Sequence, residues 1–287
     1  MPQRLATPAD VATALARVGG DLSGFAVDLH WYDVVGSTND VAAQLAAAGA
    51  RQGTVVVAEA QTAGRGRLGR GWHSPPGAGL YTSVVFRPEG RTVTSVAGSA
   101  PGGSAASLLT LMAGVAVAEG VERATGLRAG LKWPNDLVIE APAGRPWGAR
   151  RKLAGILAEG ATLGPRLDYV ILGIGINLRP SAFPSALAAQ ATSLEEELGR
   201  PADAATVLAQ CLAGLARGWH DLAAGRRIEV LERWRERGAA SFGRPVAWQG
   251  PGGALEGTTL GLDDDGALLV DRSGGVERIV AGEVTWL

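Results

Sequence analysis

Between Gln61 and Trp72 the chain reads QTAGRGRLGRGW, with Arg65, Arg67 and Arg70 interleaved with Gly64, Gly66, Gly69 and Gly71. Glycine lets backbone N–H groups approach an anion closely, and arginine supplies a planar fork of donors that matches phosphate or carboxylate. The same glycines make the segment entropically costly to order, so mobility without a ligand is expected. Three readings share this composition: a solvated flexible loop, an RGG-like nucleic-acid segment, and an anion-wrapping active-site loop. A nucleotide P-loop is excluded, because its Gly-Lys-Ser/Thr ending is absent. Gly173-Ile174-Gly175 likewise lacks the third glycine and the acidic partner of a dinucleotide fingerprint.

Other segments place polar groups where they could act. Leu131 to Leu137, LKWPNDL, sets Lys132, Asn135 and Asp136 beside a rigid turn, and a surface turn reads equally well. Lys152 opens the otherwise apolar run KLAGIL; such a lysine either snorkels to solvent or is aimed into a pocket. Asn177 ends the apolar run GIGIN, as a turn former or as a ligand-facing amide. Gly36 to Asp40, GSTND, joins a strand to an alanine-rich helix, with Ser37 or Thr38 as its N-cap. Jointly these segments hold both lysines (Lys132, Lys152) and all three asparagines (Asn39, Asn135, Asn177) of a chain with 27 basic residues, leaving 27 − 2 = 25 arginines.

The elements that must position these groups follow from periodicity and turn chemistry. A short helix is expected over 8–18, then strands at 27–34 and 54–60, flanking a helix at 41–48. A long loop over 61–79 follows, then a strand at 80–86 and a helix at 104–125. Two short extended pieces within 131–140 precede adjacent strands at 152–159 and 169–176, joined through 163–165. Helices at 202–224 and 227–237 complete the larger part. From Arg244 short strands (245–248, 253–261, 267–271, 276–280) alternate with glycine or Asp-Gly turns, a small β-barrel or sandwich. Asp263 to Gly266 reads as a solvated hairpin turn without calcium-loop spacing.

Composition narrows the function classes. With 287 residues, 46% hydrophobic and 19% charged, the chain is of globular type. A net charge of −1 argues against broad capture of nucleic acid. No signal peptide or bilayer-spanning run is visible, so a cytoplasmic protein without membrane contact is expected. Cys211 sits in an Ala/Leu-rich helix as a buried small hydrophobe. His30, His73 and His220 have no metal-ligand spacing, and structural roles are expected for them.

Taken in order, GSTND, QTAGRGRLGRGW, KWPNDL, KLAGIL and GIGINL resemble the biotin protein ligase family, also called biotin–[acetyl-CoA-carboxylase] ligases, over about residues 28–178. The resemblance implies an α+β fold: a mixed-sheet, class II synthetase-like catalytic domain over 1–238 and a small C-terminal SH3-like β-barrel over 239–287. It implies formation of biotinyl-5'-AMP from biotin and ATP, with Mg2+ accompanying the nucleotide. Biotin then passes to a lysine of a biotin carboxyl carrier protein. Ser37, Thr38, Asn39, Gln61, Gly64, Arg65, Gly66, Trp72, Lys152 and Gly155 correspond to biotin-binding positions. Arg67, Arg70, Lys132, Asn135, Asp136 and Asn177 correspond to ATP-binding ones, with Asp136 also toward Mg2+. Lys152, Arg67 and Arg65 correspond to the catalytic cations. The first 25 residues are too short for the DNA-binding domain of some members, so a monofunctional ligase without nucleic-acid binding is expected. Trp72 and Trp133 serve equally as pocket walls or core. The alternative is a lipoate or octanoate ligase or transferase of the same superfamily.

Overall fold

The computed structural model of the chain describes residues 3–22, 25, 27–88, 103–140, 150–163, 166–250, 253–280 and 282–287. Strand β3 (Val55–Gln61) shows why the larger sheet forms. Its VVVA run buries both faces: Val55 and Val57 join one apolar cluster and Val56 and Ala58 another. A continuous β-branched run of this kind is the mark of a strand covered on two sides.

Around it lie β1 (Arg4–Leu5), β2 (Leu29–Val35), β4 (Gly79–Phe86), β5 (Gly130–Lys132), β6 (Asp136–Ile139), β7 (Arg151–Leu163) and β8 (Arg166–Asn177). The spatial order is β1-β2-β3-β4-β8-β7-β6-β5. Only the β2–β3 pair is parallel, because α2 (Thr38–Ala47) makes the crossover between them. Helix α2 covers one face through Val41, Ala42 and Ala46. Helices α1 (Ala9–Arg17), α3 (Gly103–Thr125), α5 (Ala204–Ala223) and α6 (Arg227–Arg237) supply apolar residues to the other cluster, and the short α4 (Leu194–Leu198) follows β8. None of the described helices is long and apolar enough to cross a membrane.

The C-terminal strands β9 (Pro245–Gly250), β10 (Gly253–Leu262), β11 (Leu268–Arg272), β12 (Gly275–Ile279) and β13 (Val284–Trp286) form an antiparallel sheet in the order β12-β11-β10-β9-β13. Its apolar side chains, Val246, Leu268, Val270 and Val284 among them, join the main core. At the Asp263–Gly266 turn the Asp263 carboxylate accepts from the backbone of Asp265 and Ala267, both at 2.9 Å. Asp263 and Asp265 pair with Arg278, and Asp264 pairs with Arg235. These carboxylates belong to a salt-bridged turn. Among the described residues no group of three or more His, Cys, Asp or Glu side chains could hold a metal ion.

Two strands escaped the sequence pattern. β1 is two residues long and β13 three, too short for alternation to show. The expected turn at Gly164-Pro165 lies outside the described residues. Ser37 takes the N-cap position of α2 in extended conformation, but its hydroxyl makes no capping bond.

Helices α3 and α5 cross through small residues. A Cβ on Gly120 would lie 2.7 Å from the backbone N and Cα of Cys211, and one on Gly214 would lie 2.6 Å from Ala116 O. Cys211 is buried here, its thiol pushed up to about 12 by desolvation, which leaves it a packing residue. Gly120→Ala adds a methyl against backbone that no rotamer can move. Overpacking should outweigh the helix-propensity gain and cost about 1–3 kcal/mol. A thermal melt should show a lower Tm; an unchanged or higher Tm would mean the helices part freely.

Candidate active site

Lys152 stands near the start of β7 and lines a cleft of two adjoining cavities. Nζ lies 2.6 Å from Asp136 Oδ1 and 5.2 Å from the centre of the Trp72 ring. The strand has room for this because Gly155 and Gly175 face each other across β7 and β8. A Cβ on Gly155 would come 3.1 Å from Lys152 Nζ, and one on Gly175 would come 2.5 Å from the Trp72 indole. The indole therefore rests on a floor of bare backbone. Of the two readings of a lysine on an apolar strand, the pocket reading holds.

Two cavities meet at this point. The smaller, about 50 Å³, is lined by Ser37, Thr38, Asn39, Gln61, Arg65 and Gly155 among others. The larger, about 320 Å³, is lined by Arg70, Lys132, Asp136, Asn177, Phe183 and Glu283 among others. Gly66, Arg67, Trp72, Asn135 and Lys152 line both. Gly64 lines neither; its carbonyl accepts from Trp72 N at 2.9 Å, and a Cβ there would strike Trp72 O at 2.5 Å.

The walls of the smaller cavity form a buried polar network. Gln61 Oε1 accepts from Thr38 N (2.8 Å) and Thr38 Oγ1 (3.1 Å), while Gln61 Nε2 donates to Ser74 Oγ at 2.9 Å. Ser83 Oγ lies 2.6 Å from Asn39 Oδ1 and 2.8 Å from Thr38 Oγ1, and Asn39 Nδ2 donates to Glu159 Oε2 at 2.5 Å. Thr38, Asn39 and Ser83 are all buried. Such a network fixes donors and acceptors in place, which suits recognition of a polar ring.

The glycine-arginine loop is folded and fastened. Arg65 bridges to Gly71 as a β-pair, Gly66 N donates to Arg70 O at 2.7 Å, and residues 67–69 make a 3-10 turn. Sequence composition alone predicts mobility, but each arginine has a protein partner. Arg65 makes two bonds to Asp40 (2.8 and 2.7 Å) and two to Glu159 (3.1 and 3.4 Å). Arg70 pairs with Glu283. Arg67 donates to two neutral oxygens, Asn135 Oδ1 (3.2 Å) and Gly282 O (2.8 Å).

Burial pushes the Arg67 guanidinium below its usual range, with Asp136 and Glu283 acting the other way. Burial does the same to Lys132, whose ammonium sits 5.9 Å over the Trp286 ring. Cations desolvated and answered by neutral oxygens or a ring gain most when an anion arrives. Asp136, expected toward Mg2+, is the carboxylate paired with Lys152; a single carboxylate is what Mg2+ uses where substrate phosphates and water supply its other ligands.

Asn177 Nδ2 donates to Thr192 O (2.9 Å) and Lys152 O (3.3 Å), so its amide holds backbone at the cavity wall. Trp133 serves both parts: it is buried in the core, with its indole N–H donating to Gly266 O at 3.1 Å, and it also lines the larger cavity. Sequence reading missed Ser74, Ser83 and Glu159, which sit in ordinary strand or loop contexts. It also missed Asp40 as an arginine anchor, the apolar wall at 182–187 and the contribution of Gly282 and Glu283. The alternation Gly173-x-Gly175 on a strand was the one available signal, since strand glycines mark close approach.

Asp40→Asn should weaken the Arg65 strap between α2 and β7. Limited proteolysis should then cut within 61–72 several-fold faster than in the parent chain; equal rates would mean the strap does not hold the loop.

Comparison with known proteins places the chain in a family. The family model described as the biotin/lipoate A/B protein ligase family matches residues 31–177, and that of the biotin protein ligase C terminal domain matches 241–285. The biotin–[acetyl-CoA-carboxylase] ligase of Mycobacterium tuberculosis is 34% identical, over 99% of this chain and 98% of that protein. The bifunctional ligase/repressor BirA of Bacillus subtilis is 34% identical over 89% of this chain and 73% of its own length. The biotin protein ligase of Aquifex aeolicus in complex with biotin and ATP superposes with a TM-score of 0.74 at 29% identity, over 92% of this chain and 99% of that one. The chain belongs to the biotin/lipoate A/B protein ligase family, and within it to the biotin protein ligases.

Proposed function

We propose that the smaller cavity takes the ring of biotin and the larger one ATP, so that carboxylate and α-phosphate meet at the residues common to both. The observation that carries this reading is the pair of adjoining cavities with Lys152 and Arg67 between them. A carboxylate oxygen of biotin attacks the α-phosphorus, pyrophosphate leaves, and biotinyl-5'-AMP remains. The ammonium of a lysine on a biotin carboxyl carrier domain then loses its proton to solvent water. The free amine attacks the acyl carbon, forming the amide and releasing AMP.

Bringing two unit negative charges to 4 Å costs about 4 kcal/mol at an effective dielectric near 20, before the remaining phosphate charge is counted. Lys152 and Arg67 place positive charge where that repulsion concentrates, and Lys132 and Arg70 extend it toward the rest of the triphosphate. The attacking carboxylate is already ionised at neutral pH, so the first step needs no general base. Arg65 acts through its strap to Asp40 and Glu159, holding the loop over the biotin ring. Ala182, Phe183, Pro184 and Leu187 offer an apolar wall suited to the adenine base.

Mg2+ supplies further charge neutralisation when it enters with the triphosphate. The amide and hydroxyl groups of Thr38, Asn39, Gln61 and Ser83 favour a ureido ring over the apolar head of lipoate. The catalytic part is assigned to residues 1–238 and the small β domain to 239–287. A cytoplasmic enzyme with a carboxylase carrier domain as acceptor completes the reading.

Mass spectrometry of the protein with biotin, ATP and a carrier domain should find one biotinyl group on one carrier lysine. Modification with lipoate but not biotin would overturn the assignment. Lys152→Ala should lower biotin-dependent ATP–pyrophosphate exchange by about 100-fold or more while biotin binding, read by calorimetry, changes little. Parent-like exchange would remove Lys152 from this role.

A further inference from the structure

The position of Lys152 depends on the backbone of residues 190–192, of which Gln190 and Ala191 line the larger cavity and Thr192 lines neither. Its N–H donates to Gln190 O at 2.7 Å and its carbonyl accepts from Thr192 N at 3.0 Å, a parallel bridge that ties β7 to residues 190–192. The Asn177 amide fastens the same two residues from β8 by donating to Thr192 O and Lys152 O. What fixes residues 190–192 in turn is a carboxylate on α4. Thr192 Oγ1 donates to Glu197 Oε1 at 2.5 Å, and Arg151 NH2 donates to that same oxygen at 2.6 Å.

Arg151 directly precedes Lys152, and successive residues of a strand point to opposite faces. Glu197 therefore grips β7 from behind while Lys152 reaches forward. The rest of the clamp is equally determined. Arg151 also pairs with Glu196, Thr192 and Ser193 have no exposed surface, and Ser193 Oγ caps α4 by accepting from Glu196 N at 3.3 Å. Ala182, Phe183, Pro184, Leu187, Gln190 and Ala191 all line the larger cavity, and the chain that carries them ends in this clamp. Glu197 and Thr192 line neither cavity.

We propose that Glu197 is a positioning residue for adenylate formation, acting through Thr192 and Arg151. It sets the Lys152 ammonium and the apolar nucleotide wall at a fixed separation. The inference rests on Lys152 serving the junction of the cavities as proposed above. A single carboxylate thus governs both the cation that offsets charge repulsion and the surface that orients the base. Misplacing either costs rate while the polar groups that face the biotin ring, Thr38, Asn39 and Gln61, stay in place.

The test uses the full chain and its variants Thr192→Val, Thr192→Ser, Glu197→Gln and Lys152→Ala. Biotin-dependent pyrophosphate exchange gives kcat and the KM for ATP, and calorimetry gives the Kd for biotin. Thr192→Val keeps the shape and removes the hydroxyl, so it carries the test even if Glu197→Gln does not fold. Thr192→Val and Glu197→Gln should lower kcat about tenfold or more and raise the KM for ATP, because small displacements of reacting groups have large rate effects. The Kd for biotin should stay at the parent value, and Thr192→Ser should restore activity.

Parent-like exchange in Thr192→Val overturns the inference. So does a loss of biotin affinity in step with the loss of exchange, which would mark general loosening. If Lys152→Ala itself exchanges like the parent, the underlying reading of Lys152 fails instead, and the two failures are distinguishable.

Discussion

Repulsion between two anions is the constraint that organises this protein. A carboxylate and a polyphosphate will not approach unless fixed positive charge waits between them, and water must be kept from screening it. In the proposed reading Lys152 meets that need from a strand, where its backbone is held by residues 190 and 192 and by the Asn177 amide, and not from a flexible loop. The bare-backbone floor of Gly155 and Gly175, the Trp72 indole upon it and the partnership with Asp136 all serve to place one ammonium group. Rigid elements position charge more accurately than loops do, which suits the role proposed for Lys152 on β7.

The loop arginines answer a different problem. Arg65 and Arg70 are held by carboxylates on other parts of the chain, Asp40 and Glu159 on one side and Glu283 on the other. An incoming phosphate would exchange one set of anionic partners for another, so these pairs offset part of the cost of ordering a glycine-rich segment. Arg67 differs, because its hydrogen bonds go to neutral oxygens while it is more buried, and it lies at the meeting of the cavities. The contrast separates an arginine that straps from one that waits for charge.

Much of this was legible in the sequence, for physical reasons that differ by residue. The run VVVA announced a strand buried on both faces, and the switch from helical to short alternating segments near Gly238 marked where the second sheet would follow. Lys132, Lys152 and the asparagines stood out because the chain uses their types so sparingly. Glu159, Ser83 and Glu197 could not be found that way: a carboxylate or hydroxyl on a strand or short helix is common, and its partner lies in a distant part of the sequence. Loop mobility is an expectation from glycine content, which reports the entropy of the segment but says nothing of the ion pairs it makes with Asp40, Glu159 and Glu283. β13 and the Gly282–Glu283 approach to the loop depended on tertiary docking that no local pattern encodes.

Both lysine side chains of the molecule line the larger cavity, while arginine supplies the remaining basic charge. A guanidinium stays protonated at any pH a cell reaches and offers no free lone pair to an activated acyl group. The exterior of the enzyme thus carries no side-chain amine that could intercept the group it activates. Its surface chemistry is blind to its own product, and transfer is left to an amine brought in by another molecule.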